Sequence, residues 1–594
     1  MTSRLRVLLL AGAALAVPPA AGSAQAPARQ KAQAPAPATA APAKDGQEDE
    51  EIVVKGKPPR GSVIGDIPPV SVLKSRDVKA TGATSFDELL EAIAPQIGAV
   101  RGSANARPLV LLNGHRVSSY RELRDIPIEA VSRVDILPEE VALKYGYPPD
   151  QKVVNVVLQN RFKESVVQAS ANAASHEGYA GGGGDFTRIL LTPKQRTTLN
   201  FHAGAEDILR GSQRALVEQQ YESTGTGATG LLLPPELGIR GTATINRQLP
   251  GDVAATFNAE AGHSSGHLLS GLSEQLPAEL RRDTRTDSLH VGGALSGDAA
   301  RWHWNLTSNG EVERARTTTT DLGQLFAPGN AQSTRAVGNI DGTINGPLFG
   351  TAAGTGDVTL RGAASAEYLD IDEEHLETPP VETTKRTTAT AAANVDVPIS
   401  HRGRGFGALG NLTLNANAGV DQLSDFGTLS RFGAGANWSP VPSLNLVGSW
   451  DREELAPRVR QLGDPFVETP GTRIFDFTNG VVNRVAVVTG GNPDLHTDRR
   501  NTVDINAQWQ PFALVDFRLR ADYAHVTIDR PISNITVFPE IEAVFPDRFV
   551  RDPAGNLLSV DLRPVNFSSA RRDTVKLGFD FSKPLRSKAV SQAE

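Results

Sequence analysis

From about residue 164 to its C-terminus the chain alternates apolar and polar residues, and a period of two makes β-strands with two unlike faces. Leu412, Leu414, Ala416 and Ala418 alternate with Asn411, Thr413, Asn415 and Asn417. Val503, Ile505, Ala507 and Trp509 alternate with Asp504, Asn506, Gln508 and Gln510, as Val515, Phe517, Leu519 and Ala521 do with Asp516, Arg518, Arg520 and Asp522. One face is apolar and the other carries amides and charges. A soluble sandwich would press the apolar face on a second sheet. A soluble barrel would turn it inward, and a membrane barrel would turn it to lipid around a polar lumen. The alternation is compatible with all three.

The connections narrow the choice. Short ones fall at Thr192 to Gln195, Pro250 to Asp252, Ser296 to Ala299, Pro440 to Ser443 and Pro511 to Leu514. Long ones fall near 207 to 237, 264 to 283, 312 to 332, 455 to 498 and 529 to 565. Alternating short turns and long loops are the habit of a transmembrane barrel, and about sixteen strands fit between them, an even number as antiparallel closure requires. A mean hydropathy of -0.25 and the lack of a long apolar run in the mature chain exclude a helical membrane protein. They do not exclude a barrel, whose strands need about ten residues with every second one apolar. Trp302, Trp304, Trp450 and Trp509 lie near strand ends or on the apolar face, which suits an aromatic girdle and equally suits core tryptophans.

The front of the chain is different in kind. Arg4 and Arg6, an apolar run from Val7 to Val17 and the small residues Ala21 to Ala24 read as a signal peptide over 1–24, hence export. Residues 25–50 begin almost entirely as Ala, Pro, Gln and Lys, which bury too little to fold, and are expected to be a disordered tether. After the acidic cluster comes Glu51-Ile52-Val53-Val54-Lys55, a β-prone segment ahead of Pro58-Pro59. It suits either pairing with another protein's sheet edge or the first strand of the following domain.

Residues 67–162 read as a small α/β domain. Leu109 to Leu112 and Val153 to Leu158 are unbroken apolar runs, as in strands buried on both faces. Ser85 and Glu88 have capping-box spacing ahead of a helix with Leu89, Leu90 and Ile93 on one face, which Pro95 is expected to stop. Asn113-Gly114 is a hairpin turn signal, Val134 and Ile136 share a strand face, and Pro138-Glu139-Glu140 opens a short helix. Arg133 and Asp135 point away from that face, either to solvent or toward lumen charges such as Arg518 and Asp516 as a plug–barrel contact.

Catalytic chemistry finds no support. None of the eleven histidines forms HExxH or an HxH pair with a suitable carboxylate, and Gly181 to Gly184 lacks the helix and GK[ST] of a phosphate loop. His303, between two tryptophans on a strand, reads as a polar lumen position. The chain has no cysteine, which removes disulfides, thiolate metal sites and thiol catalysis. No cofactor or metal is expected. A net charge of -7 offers no basic surface, so no nucleic-acid partner is expected.

Together these residues resemble the TonB-dependent outer-membrane receptor family. Glu51 to Lys55 looks like the TonB box. RPLVLLNGHRV and IPIEAVSRVDILPEEVALKYG look like the recognisable parts of the plug domain, KVVNVVL like its last strand, and Gly491-Asn492-Pro493-Asp494-Leu495 like the family's NPxL segment. Tyr147 to Lys152 departs from the small-residue run usual before the last plug strand. The resemblance implies a mainly β protein, a transmembrane antiparallel β-barrel with an N-terminal α/β plug at 67–162 and the barrel from 163 to 594. It also implies about 22 strands, so the reading is of a barrel about six strands short at its C-terminus. The implied function is energised uptake of a scarce bulky solute, such as an iron-siderophore, across the outer membrane of a Gram-negative bacterium. The implied partners are periplasmic TonB, bound at Glu51, Ile52, Val53, Val54 and Lys55, outer-membrane lipid, and an extracellular ligand. A passive porin, an adhesin-type barrel and a non-functional truncated receptor stand as alternatives.

Overall fold

Unbroken apolar runs make the centre of the front domain. The computed structural model describes residues 60–64, 69–97, 108–147, 152–174, 179–207, 209–210, 231–233, 235–271, 279–321, 329–373, 384–405, 407–464, 466–512 and 516–582. The signal peptide, the tether and Glu51 to Lys55 lie outside the described residues. Strands β1 (Ser71–Lys74), β2 (Leu109–Leu112), β3 (His115–Arg116), β4 (Val131–Leu137) and β5 (Val153–Leu158) form one sheet in the order β1-β4-β5-β2-β3. β2 and β5 pair in parallel, and every residue of β5 is buried. Asn113 and Gly114 join β2 to β3 with φ of 52° and 81°, the pair of positive angles a type I′ turn needs.

Helices cover the sheet. Ser85 accepts the Glu88 amide and caps the Phe86–Ala92 helix. The Glu88 carboxylate takes the Thr84 amide at 2.7 Å in place of the Ser85 amide that a capping box would use. The helix ends before Pro95, and a further short helical turn, Ala94–Ile97, follows at once. Phe86, Leu89, Ile93, Val134, Ile136, Val154 and Val156 pack in one cluster, so the sheet and its helix share a core.

Sixteen long strands, from Phe162–Ala173 to Ser569–Ser582, form the barrel, with a two-residue strand at Arg404–Gly405 beside them. Phe162 lies in the first barrel strand rather than in the front domain. The strand order sets Ser569–Ser582 beside Phe162–Ala173, but among the described residues no residue-by-residue pairing joins these two, whereas the other long barrel strands pair with a neighbour on each side. This junction is thinly covered: Leu577 is 79% exposed and Val167 77%.

Face polarity separates the three architectures. Leu199, Phe257, Leu289, Ile340, Val420 and Ile505 are exposed, while Asn200, Asn258, Glu260, His290, Asp341, Asn394 and Asp504 are buried. A soluble sandwich or soluble barrel would bury the first set. An apolar outside around a polar inside is the arrangement of a transmembrane barrel. At the short-turn end, Trp438 and Trp509 are exposed and Phe517 lies against Phe512, Phe579 and Phe581, an aromatic rim.

Several connections differ from expectation. Ser296 to Ala299 is strand, and the chain turns at Ala300 and Arg301, with Ala300 at φ 58°. Turns at 352–353 and 402–410 were not signalled. Val253–Gly271, Glu279–Ala299 and Trp302–Asp321 run on as strand through much of what composition marks as loop. Beyond the apolar belt both faces of a strand meet water, so the pattern that identifies a strand fades.

The loops 456–497 and 530–568 carry a folded module. Val467–Asp476, Val481–Thr489, Leu557–Asp561 and Phe549–Arg551 make a four-stranded sheet over a core of Val485, Val487, Ile541, Phe549 and Val560. Arg551 bonds both oxygens of Asp476 at 2.8 Å and holds its carboxyl down at about 2. The Asn492 amide donates to the Pro564 carbonyl at 2.8 Å and Leu495 is buried, so the Gly491-to-Leu495 segment fastens the module to the Asp498–Trp509 strand.

The face assignment has a direct test. Ile340 faces out and its neighbour Asn339 faces in. Ile340→Lys is expected to lower barrel stability by about 2–4 kcal/mol in chemical denaturation from vesicles, and Asn339→Lys by much less.

Candidate functional site

The first strands of the front domain deliver its charges to the barrel wall. Arg116 ends the hairpin made by Asn113-Gly114, which aims its guanidinium at the lumen face of the Gly329–Thr351 strand. Arg116 Nη1 meets Asp341 Oδ1 at 2.9 Å, and Arg361 Nη2 meets the other oxygen at 2.7 Å. Tyr147 completes the cluster. Arg116 Nη2 donates to its hydroxyl at 2.8 Å, and the Arg116 and Arg361 guanidiniums lie 4.5 and 5.5 Å from its ring centre. Gly146, at φ +79°, lets Tyr147 come so close: a Cβ there would lie 2.7 Å from Thr343 Cγ2.

A second cluster surrounds the Arg121–Arg124 helix, in which Arg121, Glu122 and Arg124 are charged and Leu123 is buried. Arg121 Nε bonds Glu260 at 3.0 Å and its Nη1 bonds Glu311 at 3.2 Å, while Arg124 pairs with the other oxygen of Glu260. Glu122, nearly fully buried, accepts from the Ser118 amide at 2.8 Å and from Asn258 at 3.2 Å. Arg196 on the barrel donates to the Glu122 carbonyl at 2.9 Å. The Thr242 hydroxyl donates to Asp125 at 2.5 Å. A third contact is Lys144 Nζ to Asp396 Oδ2 at 3.0 Å, where Asn394 also donates.

These contacts reach strands around much of the wall, so the front domain sits in the lumen. Most of the contacts are polar, as the lumen face of a membrane barrel is, while Ile189 and Leu191 of the Ala180–Thr192 strand join the front domain's apolar cluster. A cavity of about 340 Å³ remains between Arg116, Ser118, Tyr147 and the wall residues Asn309, Asn339, Asp341 and Arg361. Donors and acceptors line it, which suits water or a hydrophilic solute.

Arg133 and Asp135 are not where a plug–barrel contact would put them. Arg133 Nε bonds Asp135 Oδ1 at 3.0 Å and its Nη2 donates to the Arg60 carbonyl, while Asn155 donates to Asp135 at 3.1 Å. The pair belongs to the fabric of the front sheet, and Arg116, Arg121, Arg124 and Lys144 make the wall contacts in its place. Alternation put Arg133 on the right face of β4, but the edge order of the sheet, which turns that face from the wall, is not written in β4 itself. His303 lies beside the short turn and bonds Asp298 at 2.5 Å. Gly181 to Gly184 are part of the Ala180–Thr192 strand.

Two features escaped the sequence reading. Asn155, the one polar residue in VVNVVL, is fully buried: its Oδ1 accepts from the Gly114 amide at 2.8 Å and its Nδ2 donates to the Gly61 carbonyl at 2.7 Å. Tyr145 donates to the Gly114 carbonyl at 2.8 Å, and burial pushes its hydroxyl well up, so it stays protonated. Both hold the turn that aims Arg116. A polar residue inside an apolar run was the available signal.

Residues 64–147 match the family model described as the TonB-dependent Receptor Plug Domain. The fold is that of solved receptors at low sequence identity. The siderophore receptor PirA from Pseudomonas aeruginosa is 16% identical with a TM-score of 0.54, over 86% of this chain and 82% of that one. The ferric enterobactin receptor PfeA from the same organism is 13% identical with a TM-score of 0.53, over 85% and 78%. The hemophore receptor HasR of Serratia marcescens, solved with its hemophore HasA and heme, is 10% identical with a TM-score of 0.52, over 87% and 80%.

Asp341 bridges two guanidiniums that would otherwise face each other nearly buried. Asp341→Ala is expected to cost about 3–5 kcal/mol, because it leaves Arg116 and Arg361 unpaired. Urea unfolding of the purified protein measures this, and Asp341→Ala combined with Arg116→Met should recover part of the loss.

Proposed function

We propose that the chain, which matches the plug-domain model over residues 64–147 and has the barrel fold of solved receptors, is a TonB-dependent receptor that takes up a scarce bulky solute across the outer membrane of a Gram-negative bacterium. The observation that carries this reading is a front domain that fills the lumen and is tied to the wall by ion pairs. A passive porin needs an open lumen, so the filled one speaks against that alternative. Closure by ion pairs also suits controlled opening. Once a pair is pulled apart, water and salt entering between the charges solvate and screen them, so each pair weakens as it opens.

On this reading Glu51 to Lys55 adds as a strand to the sheet edge of periplasmic TonB, whose inner-membrane motor supplies the work. The outer loops and the 467–567 module then bind the ligand. An iron-siderophore is the class this reading favours, since solved proteins of like fold are named as siderophore receptors. No step calls for bond chemistry, so the protein acts as a carrier and not as an enzyme.

Val53→Pro tests the coupling. Proline removes one backbone donor from the strand TonB would pair with. Energised uptake of ferric siderophore by cells is expected to fall to background with binding to the cell surface unchanged. Uptake equal to the unaltered protein's would contradict the mechanism.

A further inference from the structure

We propose that the outer wall of the barrel carries a docking site for a phosphate-bearing lipid headgroup, built from Arg285, Arg314 and Arg316. It rests on the membrane-spanning reading of the apolar belt and not on transport. On the Trp302–Asp321 strand the outward residues run Leu306, Ser308, Gly310, Val312, Arg314, Arg316. Opposite them on Glu279–Ala299 run Leu295, Gly293, Val291, Leu289, Asp287, Arg285, with Leu289 facing Val312 and Arg285 facing Arg316. From Trp304 to Val312 the belt has the length of a membrane-crossing strand, about 9–11 residues. Arg314 therefore begins about 7 Å beyond the last apolar pair, at the depth of headgroups.

These arginines are exposed, and although Asp287 stands directly opposite Arg314, none of the three is in an ion pair among the described residues. Arg281 uses Asp283 at 2.9 Å, and Asp287 is held by His263 at 2.8 Å. Among the described residues no carboxylate lies within ion-pair distance of Arg285, Arg314 or Arg316, and Arg316 bonds only the neutral Gln332, at 2.9 Å. The outward Asp370 and Asp372 stand a full strand further round, beyond Gly329–Thr351. Like charges directly opposite on neighbouring strands, with Cβ atoms about 5 Å apart, repel. An anion between Arg285 and Arg316 removes that repulsion.

Chemistry and position choose the anion. A guanidinium fork matches phosphate in two parallel hydrogen bonds. A lipid also brings acyl chains, which lie on the apolar wall of Leu289, Val291 and Val312 immediately below, where a soluble anion gains nothing. The three arginines thus read as the polar end of a lipid site whose apolar end is the belt.

The test uses the full chain purified in detergent, with native mass spectrometry after incubation with dioleoyl phosphatidic acid, dioleoylglycerol, or phosphatidic acid plus excess inorganic phosphate. The unaltered protein is expected to retain phosphatidic acid and not dioleoylglycerol, with no displacement by inorganic phosphate. Arg285→Gln, Arg314→Gln and Arg316→Gln together should cut retention roughly tenfold or more, the scale of losing charge-assisted hydrogen bonds. The corresponding Lys substitutions should fall between. Equal retention by the triple Gln variant, or equal retention of dioleoylglycerol, overturns the site. Displacement by inorganic phosphate overturns the lipid as its occupant. Gel heat-shift of the triple variant verifies folding, and failure of the unaltered protein to insert into phosphatidylcholine vesicles would fault the membrane reading instead.

Discussion

Hydrocarbon offers no partner to a backbone N–H or C=O, so a strand can cross it only in a sheet whose edges meet. That constraint organises the molecule. It gathers the sixteen strands into one barrel sheet, and it leaves apolar side chains outside and amides and charges within. A polar lumen in turn dictates how anything inside can be held. Glu260, Asp341 and Asp396 on the wall meet Arg124, Arg116 and Lys144 from the plug, a set of charge pairs where a soluble protein would have used an apolar core.

The plug itself folds by ordinary rules. It has a sheet buried on both faces, capped helices and a type I′ turn, and the barrel neutralises the charges it turns outward and adds Ile189 and Leu191 to its apolar cluster. Each wall pair is partly or wholly removed from water, so losing one partner costs more than the pair contributes on balance. This asymmetry makes the boundary specific in register. It also makes it brittle under a pull, which suits a stopper that must be tight at rest and yield to applied work.

Much of this was legible in the chain. The period of two gave the sheet, and VVNVVL, LVLL and Asn113-Gly114 gave the plug's centre, because each is a local pattern with a local cause. Loop boundaries were not. The strands ending at Gly271 and Asp321 extend past the belt, where no face is apolar and the alternation goes quiet. The wall contacts were missed for a related reason. Arg133 and Arg116 look alike in sequence, and only the order of strands in the sheet, a long-range property, decides which of them meets the barrel.

The account turns on the plug moving relative to the wall when uptake is energised. The chain has no cysteine, so Lys144→Cys with Asp396→Cys introduces the only thiols at a contact closed to 3.0 Å between the native side chains. Bridging them in cells with a reducible bifunctional thiol reagent is predicted to stop ferric siderophore uptake, to leave surface binding intact, and to be reversed by reductant. Uptake that continues at full rate with the bridge in place would contradict it.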